Sequence, residues 1–214
     1  MNRKISVFSN LSVTNWIILA NIAVFIVVSL VVAQNQNFLD YIALKPSNIL
    51  QGRNLWTLLT NMFMHGSFSH IFVNMISLLF IGNFVEKIIG RKRYFLFYIV
   101  SGLVAGLFFV FLSLIFKSDL NIYAVGASGA IFGIGGLLMI LTPRLPVLVF
   151  FIIPMPMWIA MIFLLGVLWV LSYAAGLPIG NTAHLGGLLA GVIYGLYLKS
   201  KYKRKVMALN RMFR

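Results

Sequence analysis

An uncharged stretch fills residues 145–198: LPVLVFFIIPMPMWIAMIFLLGVLWVLSYAAGLPIGNTAHLGGLLAGVIYGLYL. A helix crosses the hydrocarbon of a bilayer in about 20 apolar residues and satisfies its own backbone hydrogen bonds there. This stretch is too long for one crossing, and its turn-rich residues 176–181, GLPIGN, divide it in two. It therefore predicts two consecutive membrane-spanning helices, the fifth and sixth of the chain.

The rest of the chain repeats this pattern of apolar runs between charges. The 214 residues are 61% hydrophobic and only 9% charged, so lipid must be the solvent for most of them. Charges and turn residues bound four further runs that are long enough to be spans. These runs lie at residues 13–33, 69–85, 94–116 and 128–141. We therefore expect an all-α membrane protein, built as a bundle of six transmembrane helices.

The basic residues orient this bundle, because cytoplasmic loops near span ends accumulate Lys and Arg. With six spans, all but three of the 17 basic residues fall on the side that holds both termini, and the three exceptions are Lys45, Arg53 and Lys117. We therefore expect a multi-pass protein of the cell membrane with both termini cytoplasmic. Its parts would be an N-terminal segment at 1–12, the six-span domain at 13–199 and a basic, headgroup-facing tail at 200–214.

Composition also excludes several classes of function. The formal charge of +14 does not indicate a nucleic-acid partner, since the basic residues lie between apolar runs and form no known nucleic-acid-binding motif. The absence of cysteine excludes disulfides, thiolate zinc sites and cysteine nucleophiles. The first apolar run follows a short basic start without a convincing cleavage site, so we interpret it as a span and not as a signal peptide.

Four polar residues open three of the predicted spans. His70 and Asn74 lie at the start of the second, Ser128 at the start of the fourth and His184 at the start of the sixth. These spans run in the same direction, so the four side chains should lie at one depth, and polar groups inside a membrane usually face protein or a water-filled cavity. A histidine can take the proton of a serine hydroxyl and make it a nucleophile. Ser128 and His184 fit that pair.

The oxyanion that forms when a serine attacks a carbonyl needs preorganised hydrogen-bond donors. His70 and Asn74 are four residues apart and so project from one face of a helix, and the backbone N–H of Ser128 is a third donor. An acidic third member of a triad is hard to find. The acids of the chain are Asp40, Glu86 and Asp119, and none of them lies within a span near the proposed site. Glu86 ends the second span and is better interpreted as a partner of the adjacent basic cluster. A Ser-His dyad is therefore expected.

These motifs resemble those of the rhomboid family of intramembrane serine proteases. The similarity includes HGSFSHIFVN at 65–74, then Gly82, Glu86 and Gly90, GASGAIFG at 126–133, and His184 followed by Gly187 and Gly191. The resemblance implies a six-helix core, Ser128 as nucleophile, His184 as general base, and His70 and Asn74 lining the oxyanion hole. It also implies that the substrates are membrane-spanning helices of other proteins, cut near their outer ends, without a cofactor or metal.

Two positions depart from the family pattern. Many members carry Trp-Arg in the first connection, whereas this chain has Trp56-Thr57, so an arginine does not anchor that connection here. Members often place a tyrosine one turn after the serine, where Phe132 stands in this chain, which keeps ring stacking on the histidine and loses the hydroxyl. Phe132, Gly126 and His65 are expected to support the site, His65 through structural hydrogen bonding.

Other interpretations of the same residues stay open. A serine among small residues often serves close helix packing, and Gly187, Gly191 and Gly195 should pack against Gly129, Gly133, Gly135 and Gly136. Membrane histidines can also form the relay of a transporter or channel, although paired intramembrane acids would then be expected. A third alternative is a relative that binds membrane helices without cutting them.

Overall fold

The computed structural model describes residues 11–176 and 179–213. Arg3, Lys4 and Arg214, which contributed to the orientation prediction, lie outside the described residues, as do Leu177 and Pro178 of the predicted turn between the last two spans.

The described chain is helical apart from one hairpin. Its first half contains helices α1 (Val13–Gln34), α2 (Leu39–Ile42), α3 (Pro46–Leu50), α4 (Thr57–Thr60), α5 (Phe68–Ser77) and α6 (Asn83–Ile89). A π turn, Leu78–Gly82, joins α5 to α6, and two 3-10 turns lie at Gln36–Phe38 and Asn61–Phe63. Its second half contains α7 (Arg91–Phe116), α8 (Ser128–Leu141), strands β1 (Pro146–Val149) and β2 (Ile153–Pro156), α9 (Met157–Ala175), α10 (Asn181–Lys201) and α11 (Lys203–Arg211).

Four helices in the described residues are long and apolar enough to cross a membrane. They are α1, the continuous helix Phe68–Ile89, α7 and α9. The other two predicted spans are the shorter apolar helix α8 and the 21-residue helix α10, whose start is polar and whose last turn is basic. The predicted boundaries of the first four spans agree with the helices to within four residues.

Glu86 ties three helices together at one end of the bundle. Its two carboxylate oxygens accept hydrogen bonds of 2.9 Å from the backbone N–H groups of Val13 and Thr14, and one also accepts from the Thr14 hydroxyl. A carboxylate is favoured there, because the first N–H groups of a helix lack partners and carry its positive dipole end. The Arg91 guanidinium lies 3.7 Å away. The predicted pairing with the basic cluster is thus present, while the buried carboxylate chiefly caps α1.

Two elements were absent from the sequence prediction. The antiparallel hairpin β1–β2, with Pro146 opposite Pro156, fills the start of the stretch that we had assigned to the fifth span, so the all-α description is wrong there. The basic tail is also more than a solvated segment. It forms α11, whose Val206 is buried in the main core, and Phe213, just after this helix, contacts Phe84 with ring centroids 6.0 Å apart.

Helices α8 and α10 pack backbone to backbone. A Cβ on Gly187 would meet the carbonyl oxygen of Gly129, and one on Gly191 would meet that of Gly133. The prediction of glycine-mediated contact is confirmed at these positions. It is wrong for Gly135, whose missing side chain makes room for Met161 of α9. Close approach of this kind supplies the van der Waals contact that holds helices together where no hydrophobic force acts between them.

We expect Gly191→Ala to destabilise the protein, because its Cβ has no space beside the Gly133 carbonyl. Overpacking of a filled contact costs roughly 1–3 kcal/mol. Gly166→Ala in α9 is the matched control, since nothing lies within 4 Å of the added Cβ. The melting temperature in detergent should fall for the first variant and stay level or rise for the second. Equal melting temperatures would contradict the backbone contact.

Candidate active site

Ser128 and His184 meet at the end of the bundle opposite Glu86. The Nε2 atom of His184 lies 2.8 Å from the Oγ atom of Ser128, within hydrogen-bonding distance. Ser128 is the first residue of α8, and His184 lies in the first turn of α10. The glycine contacts between these helices start one residue beyond Ser128 and three beyond His184, so the close packing directly sets the distance between the two side chains.

The His184 ring is held by stacking. Phe132, one turn after Ser128, lies nearly parallel to the imidazole, with ring centroids 4.5 Å apart and an interplanar angle of 11°. The Nδ1 atom of His184 is buried and has no hydrogen-bond partner among the described residues. No acid therefore orients the imidazole in the described structure, and the phenylalanine ring takes that task. The described contacts of the His184 ring are thus with Ser128 and Phe132.

Gly126 leaves a gap between His70 and Ser128. Its φ of +117° is a backbone conformation that residues with side chains rarely adopt. A Cβ there would come within 2.7 Å of the His70 Nε2 atom and 3.7 Å of the Ser128 Oγ atom. The missing side chain thus opens a small space bordered by a ring nitrogen and the serine hydroxyl. A carbonyl oxygen in that space would be within reach of both groups.

His65 and Asn74 lie beside His70 without touching Ser128. The His65 ring packs edge-on against His70 with centroids 5.0 Å apart, and its Nε2 atom accepts a long hydrogen bond of 3.5 Å from the Ala127 N–H. The Asn74 amide donates to the His70 carbonyl at 2.8 Å. One amide hydrogen of Asn74 is thereby engaged within its own helix, and the second is left for another acceptor.

The segment that carries Gly126 is anchored by residues that the sequence analysis missed. The Gly126 N–H donates to the carbonyl of Asn61 at 2.9 Å, and the buried Asn61 side chain donates back to the carbonyls of Thr57 and Leu58. Leu44 and Ala124 exchange backbone hydrogen bonds of 3.1 and 2.8 Å as an antiparallel bridge. The polar Asn61 before the apolar pair Met62-Phe63 was the available signal, but its partners are backbone groups that no motif reveals.

A carboxylate helps to secure the first connection, where the family-typical arginine is replaced. Asp40 accepts hydrogen bonds from the Tyr123 hydroxyl at 2.8 Å and from the Asn48 amide at 3.1 Å, and it lies 3.7 Å from the Lys45 ammonium. The Tyr123 hydrogen bond lowers the pKa of Asp40 below its ordinary value, against a smaller opposing effect of burial. The Trp56 indole N–H donates to the Tyr41 carbonyl at 2.9 Å. The connection is therefore anchored without an arginine at position 57.

No group of three or more His, Asp or Glu side chains in residues 11–176 and 179–213 is arranged to hold a metal ion.

His65 should make the stability of the protein pH-dependent. Burial lowers the pKa of His65 to about 4, whereas an unfolded histidine titrates near 6.5. Between those values the unfolded chain binds more protons, so the free energy of unfolding falls as the pH drops, by up to ~1.4 kcal/mol per pH unit. We expect the melting temperature to decrease from pH 6.5 to 4, and less steeply in His65→Gln. Identical slopes in both proteins would contradict this assignment.

Comparison with known proteins finds relatives over most of the chain. The rhomboid domain family matches residues 52–201 of the chain. The protein named rhomboid protein 1, mitochondrial, of Saccharomyces cerevisiae is 32% identical over 161 residues, which cover 71% of this chain and 45% of that protein. RHOMBOID-like protein 5 of Arabidopsis thaliana is 34% identical over 145 residues, covering 67% of this chain and 44% of that protein. The chain therefore spans less than half the length of these relatives.

Proposed function

The chain belongs to the rhomboid family, and we propose that it is an intramembrane serine protease that hydrolyses peptide bonds in or near the transmembrane helices of other proteins. The observation that carries this proposal is the 2.8 Å contact between the Ser128 hydroxyl and the His184 imidazole. A serine and a histidine at that separation form the minimal pair for nucleophilic attack on a carbonyl. Neither a metal nor a cofactor is needed for this chemistry.

The reaction begins when the Ser128 Oγ atom attacks the carbonyl carbon of the substrate. The His184 Nε2 atom accepts the hydroxyl proton. Before this transfer the neutral imidazole of His184 must therefore carry its proton on Nδ1. The imidazolium then gives that proton to the amine nitrogen, the C–N bond breaks and an acyl group stays on Ser128. Water, activated by the same imidazole, attacks this ester and releases the new carboxyl terminus together with the free serine.

The oxyanion of the tetrahedral intermediate fits the space beside Gly126. The His70 Nε2 atom borders that space, and the backbone N–H of Ser128, at the start of α8, adds a donor at the positive end of a helix. Asn74, one turn along from His70, offers its second amide hydrogen. These groups would become donors to the developing charge without moving their helices.

We further propose that the domain at 13–199 spans the membrane six times, with both termini in the cytoplasm and the protein in the cell membrane. The uneven distribution of basic residues, with all but three of 17 on the side that holds both termini, supports this topology. The ends of α6 and α10 lie at one face with the starts of α1 and α7, as the contacts Glu86–Val13 and Arg93–Tyr202 show. That face carries most of the Lys and Arg, which favours the cytoplasm.

We expect Ser128→Ala to abolish cleavage of a single-span substrate by the full-length protein in detergent or liposomes. Ser113→Ala is a matched control, since Ser113 is also in a helix and its buried hydroxyl has no hydrogen-bond partner among the described residues. The control should keep its activity. Equal cleavage by wild type and Ser128→Ala would overturn the nucleophile assignment.

A serine-directed phosphonate should label the wild type and fail to label His184→Ala. Absence of cleavage in all proteins, without labelling, would instead favour a relative that binds helices and does not cut them.

Phe132 should matter through its ring and not through a hydroxyl. An aromatic pair contributes about 0.5–1.5 kcal/mol beyond its buried area, so Phe132→Leu should lower kcat/KM by roughly 2- to 10-fold as the His184 ring loses its support. Phe132→Tyr keeps the stacked ring and should retain most of the activity. A Leu variant with unchanged kcat/KM and an inactive Tyr variant would refute this role.

A further inference from the structure

Unpaired positive charge collects at the end of the bundle opposite Ser128. Within the described residues, this end carries eleven basic side chains and one acid, Glu86, whose buried carboxylate is already bonded to the start of α1. The basic residues there are Lys87, Arg91, Lys92, Arg93, Arg144, Lys199, Lys201, Lys203, Arg204, Lys205 and Arg211. The negative charges that neutralise these basic side chains must therefore come mostly from outside the described chain.

A cleft at this end is bordered by two of these charges. It has a volume of about 340 Å³ and lies between the end of α8 and helix α11, lined by Pro143, Arg144, Met207, Asn210 and Arg211. Arg144 and Arg211 are both exposed and form no ion pair within the described residues. Two guanidinium groups that border one cleft suit a phosphate, because each can donate two parallel hydrogen bonds to its oxygens.

Helix α11 holds its side of the cleft in place. Val206 is buried in the main core, and the neighbouring Tyr202 ring lies within about 6 Å of the charged groups of Arg93, Lys201 and Lys205. These three cations therefore have an aromatic partner, whereas Arg144 and Arg211 have none recorded in the described structure. The helix is docked on the bundle, so its Arg211 stands at a fixed position opposite the end of α8.

The surroundings of the cleft are apolar. The tip of hairpin β1–β2 exposes Phe150, Phe151 and Ile152, the last with 78% of its surface accessible. The exposed Trp158 lies at the hairpin base, where its backbone N–H donates to the Pro143 carbonyl. Exposed apolar tips of this kind are stable in lipid, and tryptophan concentrates at the level of the headgroups. Arg144, two residues before β1, is then held at headgroup depth.

We propose that the cleft between Arg144 and Arg211 binds the phosphate of an anionic phospholipid, with the lipid chains lying along the β1–β2 hairpin. The paired guanidinium groups select the negative charge. The apolar contacts that Pro143 and the exposed Met207 add to this lining distinguish a lipid from a soluble phosphate. The site is far from Ser128, so this inference does not depend on catalysis.

Native mass spectrometry of the full-length protein in detergent tests the proposal, with phosphatidylglycerol, phosphatidylcholine of the same chains and inorganic phosphate as probes. Phosphatidylglycerol should bind tightly and resist displacement by inorganic phosphate. Because the two guanidinium groups would hydrogen-bond the phosphate directly, Arg144→Gln/Arg211→Gln should weaken binding by about tenfold or more.

The charge-matched control is Lys87→Gln/Lys92→Gln, which removes two exposed charges from the same end and outside the cleft. It should change the affinity less than about twofold. A double lysine variant, Arg144→Lys/Arg211→Lys, keeps the charge and should retain an intermediate affinity. Equal losses in the Gln variant and the control would reduce the effect to diffuse attraction and overturn the site. Equal binding of phosphatidylcholine, or displacement by inorganic phosphate, would overturn the anionic-lipid assignment.

Discussion

The contact on which the site depends is made without side chains. Gly187 and Gly191 of α10 rest against the carbonyl oxygens of Gly129 and Gly133 of α8. Helices normally pack 8–10 Å apart because side chains separate them. Here the absence of Cβ atoms lets the axes approach until a serine hydroxyl on one helix and an imidazole on the other share a hydrogen bond. The pair of reactive groups is thus a consequence of packing that extends along the helices beyond them.

The small space beside Gly126, next to the serine, has a different origin. The backbone around Gly126 is held from the side by Asn61 and, two residues earlier, by the bridge between Leu44 and Ala124. The irregular first connection therefore stabilises the segment that precedes α8. Two kinds of structure cooperate: regular helices fix the distance between Ser128 and His184, while a folded connection fixes the backbone next to them.

The sequence predicted the parts of this structure that follow from length, polarity and period. Apolar length gave the helices, and the shared direction of three spans placed His70, Ser128 and His184 at one level. The hairpin was missed, because its apolar residues and prolines resemble the start of a span when no charge interrupts them. The contact between Phe84 and Phe213, the hydrogen bond from the Gly126 N–H to the Asn61 carbonyl and that from the Tyr123 hydroxyl to Asp40 join residues distant in the sequence, which no local pattern reveals. Gly135 faces α9 instead of α10.

The π turn at Leu78–Gly82 carries one residue more than the α-helical turn that it replaces. It lies between His70, which borders the serine, and Glu86, which caps the first helix. Deleting a single residue there would restore a regular α-helix and leave the two halves in nearly the same alignment, because the wider π turn absorbs the extra residue. The extra residue is therefore accommodated inside the π turn, and the reactive face and the anchoring face of this helix keep their alignment across it.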